Sequence, residues 1–283
     1  MTRWLLATLL LTTLCRAAAR AQIDTTRVDR YTTRATLYGA GFSSVFDTYL
    51  SPQAYKGAEL RVARENMRMT KLMRGNVSQQ TLFQVNLSYT HNRADNNNTI
   101  ASLVNWSYGL HYQFRLTPSF KLLAGALVDA NGGFVYNLRN GNNPASARAY
   151  LNIDASGMAI WHVRAGRYPI TLRYQANLPV LGLMFSPHFG QSYYDIFTLG
   201  NAGGVVRFTS PHNQPALRQM LSADFPVGSA KLRIMYMADL QQSRVNNIKT
   251  HTYSHVFMVG MVKELYRLKS GKRPALPPSL GAY

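Results

Sequence analysis

Ser186, His188, Asp195, Ser210 and His212 all fall between Phe185 and Pro215. A hydroxyl, an imidazole and a carboxylate in one segment are the parts of a nucleophilic acyl-transfer site. The imidazole takes the hydroxyl proton and the carboxylate orients the ring. At a cell surface the matching substrates would be lipid esters. These five residues are therefore the candidates for a surface lipid or lipid A hydrolase or acyltransferase. A segment so rich in serine and histidine also yields such sets by composition alone, and no nucleophile-elbow spacing supports this one. His251 and His255 are read on the inward parity of the last strand. On a strand that spacing is about 13 Å, too far for one metal ion. His91 and Asp95 are an equally thin pair. The chain has no zinc spacing and no phosphate-cradling glycine loop, so neither metal nor cofactor is expected. Gly132-Gly133 reads as a bulge and Gly203-Gly204 as a loop.

The elements that must position these groups are strands. From Ile100 to Leu116 the even positions carry Val104, Trp106, Tyr108, Leu110, Tyr112 and Phe114. The odd positions between them carry Asn105, Ser107, Gly109, His111, Gln113 and Arg115. Successive strand side chains point to opposite faces, so one face is greasy and the other wet. A strand in a soluble sheet runs about 5–6 residues, and this alternation lasts about as long as a tilted strand needs to cross a bilayer. The same pattern recurs in residues 81–92, 120–138, 149–163, 170–178 and 231–241. Weaker strands are read in 33–42, 58–70, 217–225 and 253–268. In the second of these, Leu60 and Val62 lie on one parity and Met67 and Met69 on the other, which predicts a bulge near Ala63 to Glu65. The fold expected is all-β: an up-and-down transmembrane antiparallel β-barrel of about ten strands, with twelve possible if Val205 to Thr209 adds a hairpin.

The connections fit that layout. Thr117-Pro118-Ser119, Gly166-Arg167-Tyr168 and Val227-Gly228-Ser229 are tight turns. Residues 93–99, 139–146, 185–215 and 242–250 are longer and rich in Asn, Gly and Pro. Short turns belong on the periplasmic side and long loops outside.

The ends bound the compartment. Arg3, the apolar run Trp4 to Leu14 and Ala19-Arg20-Ala21 read as a signal peptide over residues 1–21, cut before Gln22. Cys15, the single cysteine, leaves with it. Leu14 before Cys15 argues against a lipoprotein. Residues 22–32 are read as a periplasmic segment, 33–268 as the barrel and 269–283 as a basic, proline-rich tail outside the sheet. No apolar helical span follows, and only helices and closed barrels satisfy every backbone group in lipid. The expected location is the outer membrane of a Gram-negative cell. The formal charge is +19 over the whole chain. On an exported barrel this points to outer-membrane lipid and lipopolysaccharide as partners, with the barrel assembly machinery during biogenesis, and not to nucleic acid.

Four blocks carry a resemblance: Arg64 to Met73 (RENMRMTKLM), Tyr136 to Tyr150 (YNLRNGNNPASARAY), Gln191 to Asn201 (QSYYDIFTLGN) and Thr250 to Gly260 (THTYSHVFMVG). Together they resemble a family of uncharacterised exported proteins of Bacteroides-type Gram-negative bacteria, a domain of unknown function. The resemblance runs over about Tyr38 to Leu268 and implies an outer-membrane location. It brings no activity, ligand or catalytic residue.

The inward parity of the strands collects Glu59, Arg61, Glu65, Asp129, Asp154, Arg173, Asp224, Lys231, Arg233 and Asp239. In a narrow barrel these would pair across the interior, because an unpaired buried charge is costly. The reading that follows is an envelope or interaction protein, non-catalytic, with a filled polar lumen. The alternatives are the lipid-directed enzyme above and a narrow channel. A wide porin is disfavoured, since ten strands leave little lumen.

Overall fold

The computed structural model describes residues 31–166, 168–227 and 230–266. The expected signal peptide, most of segment 22–32 and the tail 269–283 lie outside the described residues. The chain forms one antiparallel sheet: β1 (Tyr31–Asp47), β2 (Ser51–Met69), β3 (Val77–His91), β4 (Asn98–Arg115), β5 (Phe120–Asn137), β6 (Ala145–Ala165), β7 (Tyr168–Phe185), β8 (Val206–Thr209), β9 (Ala216–Val227), β10 (Ala230–Val245) and β11 (Ile248–Tyr266). Each strand pairs with its neighbour, β7 passes on to β9, and β11 pairs with β1 from Tyr31↔Tyr266 to Asp47↔Thr250. Ten strands therefore close into a barrel, and β8 is added to the upper end of β7 through Gly182↔Thr209 to Phe185↔Val206. Among the described residues no helix is long and apolar enough to cross a membrane.

The two faces follow the alternation. On β4, Val104, Trp106, Tyr108 and Leu110 stand exposed on the outer wall, with Tyr112 and Phe114 partly so. Asn105, Ser107, His111 and Gln113 are buried in the interior. The strands outrun the stretches of clear alternation because their polar rims continue the ladder beyond the apolar band. At the closing seam glycine is required: a Cβ on Gly41 would run into the His255 carbonyl, and one on Gly260 into the Thr36 carbonyl.

Several local expectations are corrected. β2 carries no bulge at Ala63 to Glu65; its register with β1 and β3 is unbroken there. Met67 and Met69 are simply inward, because the lumen is filled partly by apolar side chains. Gly132-Gly133 likewise sits in continuous register. The shifts fall instead at Phe46/Asp47 and at Ile153/Asp154, where Val180 follows Pro179 on β7 without a partner on β6. Proline cannot donate to the ladder, so a bulge accommodates it. His255 is exposed on the outer wall, and the inward parity of β11 holds Ser254, Val256 and Met258. Both faces of β11 are apolar there, so alternation alone does not fix its register. Residues 242–250 are not a long loop: β10 and β11 meet in a two-residue turn, with Asn246 and Asn247 at φ of 50° and 64°. Positive φ at both central positions is the hairpin turn that asparagine favours.

Candidate functional site

The barrel has a turn end, carrying the connections after β2, β4, β6 and β9, and a loop end carrying the others. Its interior is layered, and β2 and β10 show the order. Going down β2 the inward residues are Arg61, Ala63, Glu65 and Met67; on β10 they are Asp239, Met237, Met235 and Arg233.

The upper ionic layer joins Arg61 to Glu59 (2.8 Å) and Asp239 (3.2 Å), and Arg218 to Asp129 (3.2 Å) and Asp239 (3.3 Å). Gln84, Asn105 and Ser254 also accept from these two guanidinium groups. Beneath it lies an apolar layer of Leu37, Ala63, Leu82, Met220, Met235, Met237, Val256 and Met258. The lower ionic layer comes next. Arg173 grips Glu65 with two 2.8 Å hydrogen bonds. Arg233 grips Asp224 at 2.6 and 2.7 Å and also reaches Glu65. A second apolar cluster, Met67, Leu123, Met158 and Ile160, lies below. Forked guanidinium–carboxylate pairs are the geometry in which buried charge is tolerated.

Nine of the ten charged residues assigned to the interior by parity are buried there. Lys231 departs from the set: it lies at the turn end, its side chain is 39% exposed and it pairs with Glu264. Asp154 is buried but makes no ion pair among the described residues, and its Oδ1 has no hydrogen-bond partner there. Sequence reading missed Arg218, which the outward parity of Leu217 and Leu221 already placed inward. It also missed Arg148, which pairs with Asp47 (3.0 Å) near the mouth.

The loop end is covered. Leu50 packs on Val45, Ala101 and Val135 inside the mouth. The Tyr55 hydroxyl accepts from Asn97 (2.9 Å) and Asn137 (3.2 Å). The segment after β7 is an ordered flap holding α1 (Tyr193–Phe197), capped reciprocally by Ser192 and Asp195. Those hydrogen bonds from Ser192 hold the Asp195 carboxyl below its usual range. Tyr193 stacks on Phe185 and Phe197 and meets Tyr49 edge-on. The Tyr49 hydroxyl donates to the Gln191 carbonyl (2.9 Å). Burial pushes the Tyr49 phenol up to about 12, with Tyr193, Asp47 and Asp195 adding to the shift. Asn246, in the β10–β11 turn, donates to the carbonyls of Ser186 (2.6 Å) and Gly204 (3.0 Å) and accepts from Arg207 (2.8 Å).

The five acyl-transfer candidates do not converge. Ser186 is buried and donates to backbone carbonyls. His188 reaches the Gly203 carbonyl at 3.3 Å. Asp195 serves as the helix cap. Ser210 and His212 do hydrogen-bond, on an exposed turn, with no carboxylate against His212 among the described residues. Nor do the described residues hold a group of three or more histidine, cysteine or acidic side chains able to hold a metal ion.

Cavities of about 20 Å3 lie above the upper ionic layer. One is lined by Arg61, Tyr150, Arg218 and Asp239, the next by Arg148, Tyr150 and Gln241, and a third by Ser146, Arg148 and Ser186 at the mouth. A cavity needs about 10–15 Å3 to hold one water, so each takes a water or two.

Closed ladder and alternating faces define an antiparallel β-barrel of ten strands with one strand added. The chain belongs to the family described as "Protein of unknown function (DUF3316)", whose model matches residues 4–273. No curated protein matches it. Among solved structures it is similar to the transport unit of the autotransporter AIDA-I from Escherichia coli, at 10% identity and a TM-score of 0.47, over 91% of this chain and 97% of that one. It is also similar to the outer-membrane protease OmpT from Escherichia coli, at 8% identity and a TM-score of 0.49, over 84% and 97% of the chains. A third is the COG4313 outer-membrane channel from Pseudomonas putida F1, at 10% identity and a TM-score of 0.38, over 83% and 96%.

Proposed function

We propose that this chain is exported by its signal peptide, cut after Ala21, and spans the outer membrane as a plugged barrel. It serves the envelope through its loop end, as an interaction or envelope-integrity protein. What carries this reading is the pair of apolar clusters, around Met235 and Met237 and around Met158 and Ile160, beneath the cavities at the loop end. Apolar side chains, paired charges and hydrogen-bonded polar groups together fill the lumen, which leaves the covered mouth and its flap as the working surface. Long ordered loops of this kind are more often functional than not. The flap has one aromatic side bound to the mouth, while Tyr194, Phe197 and Leu199 stay exposed.

The test is a cell carrying altered flaps. Deleting residues 191–200 removes the envelope role, read as detergent sensitivity of the outer membrane. His188→Ala and His212→Ala leave it intact. A second reading, a lipid-directed hydrolase or acyltransferase, is favoured only by the Ser210–His212 hydrogen bond. It takes over if the single histidine changes erase lipase or deacylase activity on outer-membrane lipid while the barrel still folds.

A further inference from the structure

We infer that the outer wall formed by β11, β1 and β2 at the turn end is a binding site for the headgroup of an anionic phospholipid. The inference rests on the membrane reading above. The register brings four cations together on the outer face. Arg34 lies directly opposite Lys263 on β11 and Asn66 on β2, and Arg64 and Arg68 flank Asn66 along β2. Strands lie about 4.8 Å apart and rise about 3.4 Å per residue. The four Cα atoms therefore fall within roughly 10 by 13 Å, inside the reach of long side chains converging on one phosphate diester.

Arg64, Arg68 and Lys263 are exposed and Arg34 is half-buried. None of the four makes an ion pair with a carboxylate among the described residues. The partners they do have are neutral: Asn66 Oδ1 accepts from Arg34 (2.8 Å), and Gln79 Oε1 from Arg68 (2.9 Å). Each contact uses one Nε, leaving the forked end of the guanidinium for a phosphate. Among the described residues the interior guanidinium groups of Arg61, Arg173, Arg218 and Arg233 are matched to carboxylates, and the four cations on this stretch of outer wall are not.

Their level on the wall selects the occupant. Immediately above the patch the same strands show Tyr38, Leu60, Val62, Val259 and Met261, all exposed and apolar. A headgroup held by Arg34 and Arg64 would lay its acyl chains on that surface. Below it, the turn after β2 exposes Leu72 and Met73 between Lys71 and Arg74, with Met73 and Arg74 at φ of 47° and 59°. Apolar tips between basic residues suit a membrane interface. The turn end faces the periplasm in the proposed orientation, so the ligand is a phospholipid of that leaflet, with phosphatidylglycerol as the simplest probe.

The barrel is placed in nanodiscs of phosphatidylethanolamine with a minority of phosphatidylglycerol. After detergent extraction, the lipid retained is counted by native mass spectrometry. Each basic group near an anionic surface contributes on the order of tenfold or less, so four should give phosphatidylglycerol at least about tenfold enrichment over the bulk ratio. The fourfold change Arg34→Gln, Arg64→Gln, Arg68→Gln and Lys263→Gln abolishes the enrichment. Lys56→Gln with Lys249→Gln at the loop end preserves it. Arg64→Gln with Arg68→Gln, which keeps the Arg34–Asn66 contact, gives a partial loss and covers failure of the fourfold variant to fold. Unchanged enrichment in the fourfold variant or in Arg64→Gln with Arg68→Gln, or retention of lipopolysaccharide in place of phosphatidylglycerol, overturns the inference. Insertion is scored separately by heat-modifiable gel mobility. A wild type that inserts without preferring phosphatidylglycerol sinks this inference alone, and one that never inserts sinks the membrane reading with it.

Discussion

Arg173 on β7 and Glu65 on β2 meet across the middle of the barrel in two parallel hydrogen bonds of 2.8 Å, although 108 positions separate them in the chain. Both are almost fully buried. Removing Arg173 takes two charged hydrogen bonds from Glu65 and leaves it with Arg233 and Gln80, so Arg173→Met should destabilise the barrel by about 1.5–3 kcal/mol. Changing Glu65→Leu as well should cost less than the sum of the single changes. Urea unfolding in detergent micelles measures both. Asp154→Asn, at a site with no ion pair among the described residues, should shift the midpoint much less. Equal losses at Arg173 and Asp154 would show that burial alone, and not pairing, sets the cost.

The outer wall of β4 gives a second test. Leu110 is exposed there and the adjacent His111 is fully buried. In a membrane, Leu110→Arg near mid-bilayer should cost about 2–4 kcal/mol. A cysteine at position 110 should react with a lipid-soluble probe, and one at 111 should not. The opposite labelling pattern reverses the two faces.

Much of this was legible in the sequence, and its failures share one cause. Where one face was polar, as in β4, alternation gave the strand, its facing and its buried partners. Where the interior itself turned apolar, as at Met67 and Met69 or Val256 and Met258, parity lost its meaning. It then produced a false bulge in β2 and an inward His255. Pairing partners such as Arg218 with Asp129 lie on strands β9 and β5, and no local pattern joins them. The Asn246-Asn247 turn was hidden because polar rims on β10 and β11 look like loop.

Alkaline titration should loosen the flap. The Tyr49 phenol lies outside the strands and is raised from 10.0 to about 12. A raised pKa means the protonated form is favoured when folded. Its contribution is complete below pH 10 and is lost as pH rises through about 12. Phenolate absorbance should therefore show one late-titrating tyrosine fewer in Tyr49→Phe than in the wild type. Titration of every tyrosine near the ordinary value would remove the case for a docked Tyr49.

Asn246 should act as the latch of the flap. It binds Ser186, Gly204 and Arg207 at once. Asn246→Ala removes those bonds and puts a side chain without local hydrogen bonding at φ of 50°. Limited proteolysis should then cut faster within residues 199–205, with the barrel itself still resistant. Unchanged cleavage would mean that the aromatic stack around Tyr193 holds the flap by itself.

Conductance tests the plugged barrel most directly. Purified wild-type protein in a planar bilayer should pass no large, steady current, and Met235→Gly with Met237→Gly should raise leakage by thinning the upper apolar layer. Large open-channel currents from the wild type would contradict a closed lumen and put the channel reading first.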